Sequence, residues 1–558
     1  MNRAMKHFVF LICLPLAGAC APPDSPSVKD SMDPDGSASD GAGAGSGGNH
    51  ANGDARGGGG TQGSGGTQGG AGVTGSQGGT PGGQGGVGAG QGGRGGTAGT
   101  GQGGTPAAGG SIAGPVTLPL TVSPDKRYLM GSNGAPFMVA GDSPQCLSAN
   151  LSTANMDAYF AARAAQGFNA SWVNLICTTY TGGRADASTY DGILPFNGTI
   201  SGGLYDLTKP NPTYFARVDA LFAAAAAHGT VVFADPIEFG GFWQTIQGNS
   251  AAAASSYGQF LGARYHNQAN IVWMSGNDMV SFNMVDKFVD VAKGIQSGGA
   301  MQLQTAELDW PALPSTLDDP SWVPGASPTS INLAYTYNPT YALLLFDYNR
   351  AGHLPNIFIE GNYEAENLEA GPHATNAHDI RAQAFWSDLS GATGWFYGNH
   401  WEVFGMDNAT WASNLAGDKG APQMSFVKTL FEARKWWQLV PDDAHAVVTS
   451  GFGTCMASTA TQGVSSPNAQ DNTCATTART ADGTLIMTYI PQARAIAVDM
   501  TKLSSTATAR WFDPTTGAFT TVAGSPLANT GTKTFTPPTA THSDGYTDWA
   551  LVLETSPP

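Results

Sequence analysis

Eight short apolar runs, bounded by turn residues, recur between residues 136 and 400. A segment with helical spacing of apolar residues follows seven of them. Near-continuous apolar strands that alternate with helices predict a parallel sheet covered on both faces. Eight such units over ~325 residues predict an α/β fold, a closed (β/α)8 TIM barrel. An open doubly wound sheet is the alternative, but no glycine-rich fingerprint follows the first run.

The predicted elements of this region alternate along the chain. Strands are predicted at residues 136–143, 170–177, 231–237, 270–276, 301–308, 331–337, 356–364 and 394–400. Helices are predicted at residues 155–168, 213–229, 251–265, 284–296, 339–349, 374–390 and 424–440. The segment after the fifth strand has little helical pattern.

The two ends of the chain differ in composition from this central region. Residues 1–20 place two cations before a short apolar stretch and end at Cys20, which predicts a secretory signal of the lipoprotein type, with simple cleavage as the alternative. Residues 21–114 are rich in glycine and nearly free of large apolar residues, so we expect a disordered tether. We assign residues 115–440 to the barrel. Alternating apolar residues between turn signals predict a small antiparallel β-sandwich at 441–558.

Charge and cysteine content narrow the classes of partner. A net charge of −17 with few Lys/Arg runs argues against nucleic acid. Cys455 and Cys474 flank a polar segment and predict a disulfide in an exported protein, whereas pairing of Cys146 with Cys177 stays open. No spacing typical of a metal site occurs, so we expect neither metal nor cofactor. We expect a monomer, exported and either attached to the cell envelope through lipidated Cys20 or released.

Two carboxylates stand at the ends of predicted strands. Asp278 follows the fourth strand and Glu360 ends the apolar run IFIE of the seventh. Because the C-terminal ends of barrel strands meet at one face, we expect both in one cleft. Such a pair suits cleavage of a glycosidic bond, in which one acid protonates the leaving oxygen and the other attacks the sugar or activates water. A turn or a helix cap is the alternative for Asp278. A buried ionised group such as Glu360 is costly unless it is paired or functional.

Further residues near strand ends are predicted to shape a sugar-binding pocket. Carboxylates and amides bind hydroxyl groups, and flat aromatic faces receive the C–H surface of a sugar, although turn capping or core packing is the alternative for each. The predicted residues are Asp142, Trp243, Asn277, Tyr337, Tyr363, Tyr397, His400 and Trp401.

Several motifs in order carry a family resemblance. PFMVAGDSPQCLS, MDAYFAARAAQGFNAS, NIVWMSGND, EGNYE and GATGWFYGNH resemble the apiosidase-like glycoside hydrolase family over residues 130–440, and RWFDPTTGAF resembles the β domain that follows it, labelled collagen-binding in relatives. The resemblance implies an acid/base role for Asp278 and a nucleophile role for Glu360. Two departures leave the sugar open, because Gly-Asn-Asp at 276–278 replaces the usual Gly-Gly-Asp and Gly361 replaces the usual proline.

The expected function is that of an exported retaining glycoside hydrolase acting on a plant or microbial polysaccharide, for example on a pectic branch sugar such as apiose. A non-catalytic surface lipoprotein that binds carbohydrate or matrix is the alternative. A serine hydrolase is less favoured because no GxSxG elbow occurs near a strand end. We also expect the β domain to dock on the barrel, because Trp437 is followed by Pro441 with almost no linker.

Overall fold

A computed structural model describes residues 114–280, 285–366, 374–458, 472–538 and 541–557. The predicted signal, its Cys20 and almost all of the predicted tether lie outside these residues. All of the described residues belong to one compact unit. Within the described ranges, no helix combines the length and the apolar character needed to cross a membrane.

Eight parallel strands, preceded by a small hairpin sheet, form the centre of the molecule. The hairpin strands are β1 (Leu120–Val122), β2 (Leu129–Gly131) and β3 (Pro136–Phe137). The eight strands are β4 (Val139–Asp142), β5 (Ala170–Asn174), β6 (Val231–Asp235), β7 (Ile271–Met279), β8 (Gln304–Leu308), β9 (Asn332–Tyr335), β10 (Asn356–Glu360) and β11 (Gly394–Tyr397).

The eight-stranded sheet closes almost completely on itself. Its order is β8-β7-β6-β5-β4-β11-β10-β9. The two edge strands meet through a parallel bridge between Gln304 and Thr329 and through the Thr305 hydroxyl, which donates to the carbonyl of Ile331. The predicted (β/α)8 barrel is therefore confirmed.

Burial on both faces explains why the barrel strands are so apolar. Every residue of β4 to β11 is buried. One apolar cluster fills the barrel interior, where Leu120, Leu129 and Phe137 of the hairpin sheet join it, and two others lie between the strands and the helices. A strand covered on both sides has no need of polar alternation.

The helices are α1 (Leu147–Asn150), α2 (Thr153–Ala165), α3 (Pro212–Ala227), α4 (Phe239–Gly248), α5 (Ala251–Tyr265), α6 (Val285–Ser297), α7 (Tyr341–Asn349), α8 (Ala377–Asp388), α9 (His400–Phe404), α10 (Trp411–Gly417) and α11 (Gly420–Glu432). Two 3-10 turns replace a helix between β8 and β9. The predicted helix 424–440 was too long, because the backbone at Leu439–Pro441 pairs with a strand of the C-terminal sheet.

The C-terminal region consists of two antiparallel sheets. A six-stranded sheet has the order β12-β14-β15-β20-β17-β18 and a three-stranded sheet the order β13-β16-β19, with one apolar cluster between them. This confirms the predicted antiparallel sandwich. Its strands are β12 (Leu439–Pro441), β13 (Val448–Ser450), β14 (Thr476–Thr480), β15 (Leu485–Ile490), β16 (Ile496–Asp499), β17 (Thr508–Phe512), β18 (Phe519–Thr521), β19 (Thr532–Phe535) and β20 (Trp549–Glu554).

The sandwich docks on the barrel through a shared core, as the short connection predicts. The ring of Phe385 on α8 stacks on Tyr489 of β15, with centroids 4.5 Å apart. Arg381, one helical turn earlier, forms a buried ion pair with Asp548. The apolar cluster that contains Phe385 includes residues from both parts of the chain. The two parts are therefore held by a continuous packed interface.

Both pairs of cysteines form disulfides. The predicted bond between Cys455 and Cys474 is confirmed, and it lies near the barrel–sandwich junction. Cys146 and Cys177, whose pairing the sequence left open, are also joined. This second bond links the start of α1 to the loop after β5, at the end of the barrel where the strands finish.

Candidate active site

Three buried carboxylates meet at the C-terminal end of the barrel. Asp278 lies near the end of β7 and Glu360 is the last residue of β10. Glu307 is the penultimate residue of β8, the strand next to β7. One oxygen atom of each lies within 4.8 Å of the others, and the residues are at most 8% exposed. The structure thus brings the two predicted acids together and adds a third.

A bulge in β7 sets the direction of the Asp278 side chain. Ser275 pairs with Ala306 and Met279 with Leu308, so the three residues between them face Glu307 alone. Asp278 has a φ of 51°, in the left-handed region that residues other than glycine rarely occupy. Its N–H donates to the Glu307 carboxylate. Bulges next to active sites commonly redirect a side chain in this way.

The other two residues of the bulge are also fixed by neighbouring elements. Gly276, with a φ of 72°, donates its N–H to the Asp235 carboxylate at 3.0 Å. Burial raises the pKa of Asp235 well above its ordinary value. Asn277 is buried, and its side-chain oxygen accepts the N–H of Phe239 at the start of α4. Asn277 therefore holds the loop, whereas the sequence had suggested contact with sugar.

Tyr180 contacts the acid from the loop after β5. Its hydroxyl donates to Oδ2 of Asp278 at 2.6 Å. The ring lies against Gly240, where a Cβ atom would be only 2.2 Å from Cε1 of the ring. Glycine at this position in α4 is therefore what lets Tyr180 reach Asp278.

The loop that carries Tyr180 is held by a buried carboxylate. Glu238 accepts the N–H of Thr178 and the hydroxyl of Thr181, both at 2.6 Å. Burial raises the pKa of Glu238 to about 7, against the effect of these hydrogen bonds. Glu238 is therefore part of the support of the site rather than of its open surface.

A second tyrosine lies beside the acids at the end of β9. Burial, and then the negative charges of Asp278 and Glu360, raise the pKa of Tyr335 well above its ordinary value. The hydroxyl of Tyr335 therefore keeps its proton and is available as a donor. Its ring contacts the half-buried Tyr337, with centroids 5.7 Å apart, and the sugar contact predicted for Tyr337 stays a prediction.

Asp142 lies inside the protein and not on an open surface. It is fully buried and accepts hydrogen bonds from the hydroxyls of Tyr159 and Ser171. It also forms an ion pair with Arg163. Burial, and then the charge of Glu402, raise the pKa of Asp142 to about 7, against the effect of Arg163. Because both of its oxygens are engaged, this placement favours the structural alternative over the predicted contact with sugar hydroxyls.

The remaining predicted pocket residues divide by exposure. Tyr363 and Tyr397 are almost fully buried. The Tyr397 hydroxyl donates to Glu364 at 2.7 Å, and that of Tyr363 accepts from Gln145 at 3.1 Å. These two rings support the loops after β10 and β11.

The other predicted pocket residues keep part of their surface open. Trp243, His400 and Trp401 are half-buried. Trp401 is anchored through its Nε1, which donates to Asp418 at 2.8 Å. Together with Tyr337, these side chains remain the predicted sugar contacts.

The acid cluster is also the place where described residues could share a cation. Its donors would be carboxylate oxygens only, a set that suits hard cations. Carboxylates arranged in this way serve proton transfer and nucleophilic attack equally well, so the donor set does not by itself define a metal site. We assign no metal to it.

Sequence reasoning missed the residues that support the acids. Glu307 is the penultimate residue of a short strand, next to the end where Glu360 lies in β10, so the same strand-end argument could have found it. Asp235 ends the apolar run VVFAD in the same manner. Tyr180 lies in a loop without a periodic pattern, so only the folded chain shows that it reaches Asp278.

An eight-stranded barrel with carboxylates at the ends of its strands is the architecture of a barrel glycoside hydrolase. The family model described as "Apiosidase-like, catalytic domain" matches residues 123–438. The chain belongs to this family and carries a glycoside hydrolase catalytic domain. A second model, described as "Putative collagen-binding domain of a collagenase", matches residues 462–554.

Solved structures share this fold. A glycoside hydrolase family 5 protein from Bacteroides vulgatus is 21% identical, with a TM-score of 0.63 over 79% of this chain and 95% of that chain. Another structure, titled "Glycoside hydrolase", is 20% identical, with a TM-score of 0.63 over 79% of this chain and 99% of its own. At these identities the likeness is one of fold. No curated protein matches the chain.

Proposed function

We propose that the protein is an exported retaining glycoside hydrolase in which Asp278 is the acid/base and Glu360 the nucleophile. One observation carries the proposal: strands β7 and β10 bring these two carboxylates together, with oxygens within 4.8 Å, at the end of the barrel. Carboxyl groups about 5–5.5 Å apart are typical of retention, and about 6.5–9.5 Å of inversion. The short separation supports retention.

The arrangement suits a reaction in two steps. Asp278 would give its proton to the leaving oxygen while Glu360 attacks the anomeric carbon and forms a glycosyl-enzyme. Asp278, now a carboxylate, would then take a proton from the water that releases the sugar. Tyr180 binds Oδ2 of Asp278 and so fixes the orientation of the carboxyl group. Tyr335 lies close enough to Asp278 and Glu360 for their charges to raise its pKa further after burial, so its hydroxyl keeps its proton beside them.

The family match and the partly exposed aromatic side chains support a proposal for the substrate class. We propose a branch sugar on a plant or microbial polysaccharide, such as apiose on a pectic chain. The half-buried rings of Trp243, Tyr337 and Trp401 offer apolar faces for sugar C–H groups. Export, with attachment through Cys20 or release, would give the enzyme access to such a large substrate.

Two variants test the assignment of roles. Glu360→Ala should abolish turnover on every substrate. Asp278→Ala should lose much less on aryl glycosides with a good leaving group than on pectic polysaccharide, because an activated leaving group needs no proton. Azide should partly restore Asp278→Ala by attacking the glycosyl-enzyme. Steady-state kinetics on aryl apiosides and a pectic panel measure all three effects.

Asp388→Asn provides a matched control, because Asp388 is a buried carboxylate bonded to Trp395 rather than to the acid cluster. This variant should change the rates on both substrate classes by the same factor. Equal losses for Asp278→Ala and Glu360→Ala on activated and natural substrates, without azide rescue, would refute the assignment.

A second candidate function is non-catalytic binding of matrix or carbohydrate by a surface lipoprotein. The match of residues 462–554 to a collagen-binding model favours it. Binding of Glu360→Ala to immobilised collagen and to pectin separates the candidates. Tight collagen binding together with no turnover by the unaltered protein on the whole panel would support the second candidate over the first.

A further inference from the structure

The bulge in β7 interrupts the ladder at the residue proposed as the acid. In a regular parallel pair, backbone N–H groups of one strand bond to carbonyls of the next. Here the register holds at Ser275 and again at Met279, while the segment between them has three residues against one on β8. Within the bulge, the Asp278 N–H goes to the side chain of the facing residue, Glu307.

Glu307 is well placed to hold this N–H. It is fully buried, and its two neighbours in β8, Ala306 and Leu308, pair with the two ends of the bulge. Its carboxylate therefore projects from a strand that is itself fixed at both sides. Hydrogen bonds from a backbone N–H to a charged carboxylate are stronger than those between neutral groups.

A second carboxyl group holds the bulge from β6, the other neighbour of β7. Asp235, at the end of β6, accepts the N–H of Gly276 at 3.0 Å and that of Ile237 at 3.2 Å. Strands β6 and β8 flank β7 in the sheet. The turn that carries Asp278 is thus held by side-chain carboxylates from both neighbouring strands.

The backbone of Asp278 needs such support. Its φ of 51° lies in a region that a non-glycine residue occupies only when the surroundings enforce it. If the bond to Glu307 were lost, the peptide could relax toward the common region of φ and carry the carboxyl group with it. A displacement of about 1 Å can lower a catalysed rate about 100-fold.

We infer that Glu307 is a positioning residue that holds the Asp278 backbone in its left-handed conformation and so directs the acid toward Glu360. The inference rests on the proposed role of Asp278 and adds a function for the third carboxylate. Titratable groups from other elements also lie near Asp278, namely Tyr180, Tyr335 and Glu360. The test therefore separates the charge of Glu307 from its hydrogen bond.

Two substitutions separate those properties. Glu307→Gln removes the charge but keeps an oxygen that accepts the Asp278 N–H. Glu307→Asp keeps the charge but is one methylene too short to reach it. We expect Glu307→Asp to lower kcat on pectic polysaccharide about 100-fold, with less than about 5-fold loss on a dinitrophenyl glycoside and little change in KM. Glu307→Gln should stay within about 10-fold of the unaltered enzyme on both.

The matched control is Asp388→Asn, a buried barrel carboxylate away from the bulge. The ratio of its rates on the two substrates should equal that of the unaltered enzyme. A merely structural role for Glu307 would lower Tm and the folded fraction without changing the ratio of rates on the two substrates. Such a result, or equal losses for Glu307→Gln and Glu307→Asp, would overturn the inference.

Crystal structures of the two variants give a readout that does not depend on turnover. In Glu307→Asp we expect Asp278 to leave its left-handed φ and its carboxyl group to move away from Glu360, whereas Glu307→Gln should keep both. An unchanged Asp278 in Glu307→Asp would overturn the inference. Parallel kinetics of Asp278→Ala show separately whether the acid role itself fails.

Discussion

The ion pair between Arg381 and Asp548 should be a main support of the barrel–sandwich interface. Arg381 on α8 is fully buried, and its Nε and Nη2 donate to the two carboxylate oxygens of Asp548 at 2.8 and 2.6 Å. Its Nη1 donates to Asp544 at 2.6 Å. Removing one partner of a buried pair leaves an uncompensated charge and costs about 3–5 kcal/mol. We therefore expect Arg381→Met to lower the free energy of unfolding by about that amount.

The cost should depend on pH with a defined sign. Burial acts to raise the pKa of Asp548, but the charge and hydrogen bonds of Arg381 outweigh it, so the pKa lies below its usual value. In the unaltered protein this group adds stability above the unfolded pKa, and that stability is lost as pH falls. In Arg381→Met burial acts without this opposition, so the stability of the variant should fall as pH rises from about 4. The difference between the two proteins should grow toward pH 7.

Urea unfolding followed by tryptophan fluorescence, with Tm from calorimetry, measures the effect at pH 5 and pH 7.5. The double variant Arg381→Met with Asp548→Asn should recover part of the loss, because no unpaired charge remains. Arg264→Met is the control, since its partner Asp219 is 45% exposed and a surface pair contributes at most about 1 kcal/mol. A cost for Arg381→Met no greater than the control, and independent of pH, would refute the reasoning.

Two further predictions concern the support of the acid. Gly240→Ala should lower kcat about 10-fold on substrates that need a proton, because the new methyl group meets the ring of Tyr180 at 2.2 Å; Gly417→Ala, with no atom within 4 Å of its Cβ, should leave activity unchanged. Glu238 has a pKa of about 7 through burial, so the unfolded chain loses this proton first and stability should fall as pH rises from 4.5 to 7, by on the order of 3 kcal/mol. Glu238→Gln should flatten that part of the stability–pH curve, and an equally steep curve in the variant would contradict the argument.

Local patterns were enough to predict the fold because the strands of a parallel barrel are buried on both faces. Runs such as IVWM in β7 and IFI in β10 are apolar without interruption, and this follows from cover on two sides rather than from position in the sheet. The end of α11 could not be predicted in the same way. Its helical pattern runs on to residue 440, but pairing of Leu439–Pro441 with β14 takes the backbone out of the helix.

The two acids could be placed at one end of the barrel from the sequence, because strand ends define that face. The sequence by itself therefore determined the barrel, the sandwich that follows it in the chain, and the position of Asp278 and Glu360 at one end of the barrel. Only the tertiary structure decided which polar residues around them face inward. Asp142 and Asn277 have the same strand-end position as the acids, yet neighbouring elements engage them inside the protein.

The same physical reason explains the role of Glu307. Its hydrogen bond to Asp278 depends on the register of two strands across a bulge, and register is a property of the assembled sheet. The residue pattern within one segment predicts the burial and the direction of that segment. It does not carry the offset between two segments, which is fixed only when both pack against the same core.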